Sequence, residues 1–204
     1  SLETKTGYKK PMNLNLSEAA KVDMSSYSGI YQNGALMQVE VEDNIPSAKL
    51  DGGIKFILPD KEGEWQKAKL KVFGLFTINP PIQFKFKTVK KEKLLYLKVG
   101  GNVLLWGTKI TPPDSMNASW ANRVGKYKIL NDDKDNAGMI KDPELKIEKG
   151  FLIFESNGIP AANIDVKQKF ALQSVNDKEA IIAGLGRGKG DTISVKQISG
   201  KEIL

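Results

Sequence analysis

Apolar residues in this chain recur at every second position, and that regularity limits what it can fold into. In IQFKFKTV (82–89), Ile82, Phe84 and Phe86 fall on one face and Gln83, Lys85 and Lys87 on the other. KAKLKVFG repeats the pattern with Ala68, Leu70 and Val72, and TISVKQI repeats it with Ile193 and Val195. A period of two is what a half-buried antiparallel strand requires. No long stretch carries the apolar period of a helix. Turn signals punctuate the strands: LDGG (50–53), DKEGE (60–64), VGGN (99–102), EKG (148–150), SNG (156–158) and VND (175–177). The chain is predicted to be all-β.

The strands also repeat. YSGIYQ (27–32) matches RVGKYK (123–128), with a glycine and then a tyrosine two residues on, at an offset of 96. GGIKFIL (52–58) answers KGFLIFE (149–155), and IQFKFKTVKKEKLLYL (82–97) answers VKQKFALQSVNDKEAIIAG (166–184). VLLWGTKI (103–110) answers TISVKQI (192–198) as the closing strand of each unit. The prolines of TPPDSMNAS (111–119) mark the junction. The expected organisation is a linker from a preceding domain over 1–23, a first β-barrel over 24–112 and a second over 113–204. Each unit would hold about eight short strands, because closing a sheet on itself removes its exposed edges. A barrel of that size is just wide enough to be filled by side chains or to hold one small ligand.

Composition narrows the chemistry. The chain has no cysteine, which excludes disulfides, thiolate nucleophiles and thiolate metal sites. It has no histidine either, which removes the commonest general base and the commonest zinc ligand. Catalysis would have to rest on Lys, Tyr, Asp or Glu, and no catalytic residue, metal or cofactor is expected. The net charge of +7 is carried almost wholly by lysine and favours anionic partners such as a cell-wall polymer. Nucleic acid is not expected, because its readers lean on arginine and this chain has two. No apolar run is long enough to span a membrane, and the opening residues lack the apolar core of a signal peptide.

GLGRGKGDTISV (184–195) is the stretch most suggestive of a phosphate-binding loop. A P-loop needs G-x-x-x-x-G-K-[ST], whereas Gly184 and Gly188 are four apart and Gly190 follows Lys189. A dinucleotide fingerprint needs a following helix, and DTISVKQI reads as a strand. Gly184, Gly186, Gly188 and Gly190 are therefore expected to shape a hairpin turn, with Arg187 bonded to loop carbonyls or to an acidic neighbour. KTG (5–7) and YQN (31–33) look like two of the three motifs of penicillin-recognising serine enzymes, but their order is reversed and no S-x-x-K exists. Tyr31 and Tyr127 are expected at barrel ends, and Trp106 in a core or between the barrels. Trp65 and Trp120, flanked by polar loops, are expected with Arg187 to contact another domain. Lys90, Lys91 and Lys93 read as a solvated hairpin tip.

The YSGIY opening and the GLGRGKGDTI stretch resemble the C-terminal accessory region of β-lactamase-like serine hydrolases, the group that includes penicillin-binding-protein relatives. The resemblance is better in the second unit; the first has VGGNVLLWGT where the second has its Gly-Arg-Gly loop. It implies paired lipocalin-like barrels that brace or gate an N-terminal serine-hydrolase domain of the same polypeptide. It also implies a place outside the cytoplasm, at the surface of a Gram-positive cell or secreted from it. Two other readings stand beside it: a lipocalin-type carrier of a small ligand, and a module that binds an anionic cell-wall polymer.

Overall fold

The computed structural model describes residues 23–32, 36–50, 54–130, 141–157, 167–184 and 191–204. Within them the chain is all-β: antiparallel sheets curl into half-barrels, accompanied by one 3-10 turn (Met24–Tyr27) and one short helix, α1 (Ala118–Ala121). The first sheet begins with β1 (Gly29–Gln32), β2 (Leu36–Glu42), β3 (Ile45–Leu50) and β4 (Ile54–Ile57). It continues with β5 (Gln66–Lys67), β6 (Lys69–Val72), β7 (Phe76–Ile78), β8 (Ile82–Val89), β9 (Glu92–Val99) and β10 (Asn102–Ile110). Their spatial order is β5-β8-β9-β10-β1-β2-β3-β4-β6-β7. β5 and β6 lie toward opposite margins of that sheet, yet Ala68 alone separates them in the chain. The Ala68 N–H donates to the Ile82 carbonyl (3.0 Å), so the polypeptide itself ties the two margins together.

The second sheet runs in chain order through β11 (Gly125–Lys126), β12 (Lys141–Glu148), β13 (Phe151–Asn157), β14 (Lys167–Ser174), β15 (Glu179–Ile182) and β16 (Thr192–Ser194). β17 (Lys196–Ile198) and β18 (Lys201–Ile203) form a separate hairpin. The closing strand expected over 192–198 is thus broken at Val195. There the N–H donates to the Lys178 carbonyl (2.8 Å), and the chain leaves β15 to pair with β18.

Hairpins dominate because their turns suit the strand twist. Asp43–Asn44, Lys90–Lys91, Gly100–Gly101, Lys149–Gly150 and Ser199–Gly200 are two-residue connections with positive φ at both positions. That is the type I′ geometry, whose twist matches that of the flanking strands. Lys90 and Lys91 adopt it at φ of 48° and 74° without a glycine, a costly conformation for a branched-Cβ-free but bulky L-residue. Replacing Lys90–Lys91 by Asn-Gly is expected to stabilise the protein by about 1 kcal/mol, read as a higher urea midpoint at unchanged slope.

Three apolar clusters follow from the alternation. In the first sheet Tyr27, Tyr31, Phe84 and Phe86 are fully buried, and Trp106 packs 4.7 Å from the Phe84 ring centroid and 5.8 Å from that of Phe56. In the second, Trp120, Leu145, Leu152 and Leu172 form the core with Tyr127 and Phe154 against them. The third joins the sheets: Ile110, Ile30 and Leu36 meet Phe151, Ile153 and Ala171. β13 is consequently buried on both faces, Leu152 toward its own core and Phe151 and Ile153 toward the first unit. A continuous apolar run, FLIF, is what such a strand needs.

Candidate functional site

Both units open on the same local device. A helical turn, capped by the Asp23 side chain in one unit and by Asn117 in the other, buries Met24 or Trp120 beneath it. A glycine follows, Gly29 at φ 143° or Gly125 at φ 152°, and then a tyrosine. The Tyr31 hydroxyl donates to the Tyr27 carbonyl (2.9 Å), and the Tyr127 hydroxyl donates to the Arg123 carbonyl (2.6 Å). Each phenol satisfies an orphan carbonyl of the turn four residues upstream. Tyr31 is wholly buried and its hydroxyl is pushed far above the usual phenol range by that burial, so it stays protonated as a donor. Tyr127 is half-buried against the second core.

The first unit also gathers hydroxyl, amine and carboxylate groups of the kind that catalysis without histidine would use. The Thr88 hydroxyl lies 3.0 Å from Lys93 Nζ and 3.1 Å from the Tyr27 hydroxyl, while the Thr88 N–H donates to Glu62 (2.7 Å). Lys93 Nζ sits 4.3 Å over the Tyr27 ring. An ammonium that donates to Thr88 does not withdraw its proton, and burial raises the Tyr27 hydroxyl to about 12. The geometry is that of a brace tying the 60–65 loop to β8. Burial pushes the Glu62 carboxyl up, but the hydrogen bonds from Thr88 and Tyr27 outweigh it and hold the group below its ordinary value. A depressed folded-state carboxyl contributes stability above the unfolded value of about 4.3 and loses it as pH falls through the folded value. Urea midpoints of wild type and Glu62→Gln should therefore differ at neutral pH and converge on acidification.

The tryptophans divide. Trp65 is half-exposed, with Lys85 Nζ at 4.5 Å and Lys98 Nζ at 5.8 Å from its ring centroid on the outer face of β8 and β9. Trp120 does not present a face to any other domain. It is completely buried in its own core, its Nε1–H donates to the Asn176 carbonyl (2.7 Å), and Arg123 covers its ring. Its polar sequence neighbours, Asn117 and Asn122, are the caps of α1, which is why the loop context misled. KTG (5–7), Arg187, Gly186, Gly188 and Gly190 lie outside the described residues. β15 and β16, which flank the glycine-rich stretch, are antiparallel neighbours, and the Ile182 N–H donates to the Asp191 carbonyl (3.0 Å). Gly184 has φ 92°, and a Cβ there would come within 3.3 Å of the Gln32 carbonyl oxygen.

Gln32 was not singled out by the sequence, yet it sits at the centre of the seam. It is buried, its Oε1 accepts from the Ala171 N–H (2.9 Å), and its Nε2 has no partner. Beside it the two units enclose a cleft of roughly 240 Å3 floored by Ile30, Leu36, Met37, Phe151 and Ile153. Lys49, Lys149, Lys169, Gln38 and Glu148 rim it, and Lys149 donates to Gln38 across the seam. Burial pushes the Glu148 carboxyl up, but Lys169 at 3.2 Å and Lys146 at 3.6 Å prevail and keep it below its usual value. The cleft is smaller than the ~300 Å3 at which small-molecule sites begin, and its size suits a side chain or small anion. A second cleft of about 340 Å3 lies by Tyr127, Lys126, Asp142 and Glu144. No group of acidic side chains among the described residues is arranged to hold a metal ion.

Compared with models of known protein families, with curated proteins and with solved structures, the chain matches none.

Proposed function

We propose that this chain is a non-catalytic accessory module of a β-lactamase-like serine hydrolase, acting outside the cytoplasm to brace or gate the catalytic domain. One observation carries the reading: the space enclosed by the first sheet is filled with Tyr27, Tyr31, Phe84, Phe86 and Trp106, which leaves function to the outer surface. Among the described residues, counting β5 and β6 as one strand gives eight strands in the first sheet with β7 appended, and the second unit offers six strands plus the β17–β18 pair. Both counts support twin lipocalin-like barrels. The same filled interior disfavours a carrier role for the first unit. Trp65 is the side chain offered to the neighbouring domain, and the lysine-rimmed cleft at the seam suits an acidic side chain from it.

Two assays test this. The purified chain should take up no covalent label from a fluorescent penicillin. Joined to its catalytic domain, it should shift that domain's melting temperature or substrate range. Covalent labelling, or kinetics and melting that ignore the module, would overturn the reading.

A further inference from the structure

Charge and exposed apolar surface meet at one end of the first unit. Residues 54–99 contain eleven lysines and four acidic residues, an excess equal to the net charge of the entire chain, and Lys55, Lys69, Lys71 and Lys98 among them lie toward that end. β6 and β7 project at that end as a hairpin whose tip is apolar: Phe73 is 70% exposed, Leu75 80% and Phe76 65%. Ile78 on β7 is exposed as well. Strand direction places the β9–β10 turn at the same end, and there Val99, Val103 and Leu104 are exposed too.

Neither the tip nor its flank is explained by folding. Phe73 occupies the first position of a type I′ turn at φ 50°, with the Leu75 N–H donating to the Val72 carbonyl (3.1 Å). A bulky aromatic in the left-handed region is strained, and one that also faces water is disfavoured twice over at a single residue. Strain of this kind gathers where a segment serves a partner. On the flank, Lys49, Lys55 and Lys71 are direct cross-strand neighbours on β3, β4 and β6. Like charges set opposite each other destabilise a sheet. Lys49 and Lys55 have Glu40 and Glu42 beside them, but Lys67, Lys69 and Lys71 form no ion pair among the described residues.

We propose that the β6–β7 hairpin is a membrane anchor for an anionic lipid surface. Phe73, Leu75 and Phe76 enter the boundary between headgroups and acyl chains, and Lys69 and Lys71 meet the lipid phosphates. Apolar insertion and lysine attraction to anionic headgroups add in such peripheral binding, and the electrostatic share fades with salt. A protein partner is the less favoured occupant, because the flank is a row of uncompensated lysines around a small, steep apolar tip. This anchor is independent of the accessory role: it concerns a different surface and no hydrolase domain.

The test is co-sedimentation of the full chain with vesicles of phosphatidylcholine alone or mixed with phosphatidylglycerol, at low and physiological salt. Wild type should favour the anionic vesicles by about tenfold or more at low salt. Phe73→Ser, Leu75→Ser and Phe76→Ser combined should cut that partitioning by about tenfold. Lys69→Glu with Lys71→Glu should remove most of the salt-sensitive part. These side chains are exposed, so melting temperatures report whether each variant remains folded. Phe73→Trp supplies a second readout, an emission that shifts to the blue on anionic vesicles only. Vesicle binding unchanged in the triple-serine variant overturns the proposal. So does binding to soluble polyphosphate, or to a protein domain through the tip, in the absence of vesicle partitioning.

Discussion

Trp120→Ala is expected to lower stability by about 4 kcal/mol, the upper range for truncating a buried aromatic. Two losses combine. The indole leaves a void amid Leu145, Leu152 and Leu172, and the Asn176 carbonyl loses the donor that reaches it at 2.7 Å. That bond matters for position, because it ties α1 at the start of the second unit to the β14–β15 turn. Trp120→Phe separates the contributions, since it keeps most of the ring and deletes only the N–H; it should cost about 1 to 2 kcal/mol. Urea denaturation of the three proteins checks both figures. A surface tryptophan held ready for another domain would instead leave the unfolding curve within a few tenths of a kcal/mol of wild type.

Ile153→Asp is expected to uncouple the two units. Ile153 lies in the third apolar cluster with Phe151, Ala171 and Ile110, and only 1% of it is exposed. A carboxylate there would lose its hydration on the apolar floor of the cleft, at a cost of several kcal/mol that the lysines of the rim only partly offset. The side chain points away from the second core, so Leu152 and Leu172 keep their packing. Wild type should therefore unfold in one cooperative transition, and the variant in two separate ones seen by calorimetry. Ile153→Ala, which only opens a cavity, should weaken the seam by about 2 to 4 kcal/mol and sharpen the comparison. A single unchanged transition in Ile153→Asp would show that the seam transmits no stability.

Much of this architecture was written in alternation and turn chemistry. Ile82, Phe84 and Phe86 face inward as their spacing requires, and Gly100–Gly101 and Lys149–Gly150 turn where glycine permits. What escaped depends on long-range geometry. The split at Val195 reflects competition between β15 and β18 for one edge, and two short pairings read in sequence like one strand. Trp120 was misplaced because its polar neighbours are helix caps, which look like loop residues until the helix is seen. Gln32 gave no signal, since a polar residue at the end of an alternating strand is the ordinary pattern. Its role exists only because β14 from the other unit delivers an N–H to it. The Thr88 brace was equally hidden: its members lie as far apart in the chain as Tyr27 and Lys93, and none belongs to a motif.

The pairing of β1 with β10 sets Ile30 opposite Ile110, roughly 80 residues further along the chain. Neighbouring hairpins such as β8–β9 can zip as soon as their two-residue turns exist, but this ladder must wait for everything between. Bringing such distant segments together is the slow entropic step in forming a sheet. On the ribosome, then, the opening strand would bide its time with one edge bare until β10 has cleared the exit tunnel. A prolyl or tyrosyl change in YSGIY that delays this docking would surface as aggregation during synthesis, even where the finished protein melts normally.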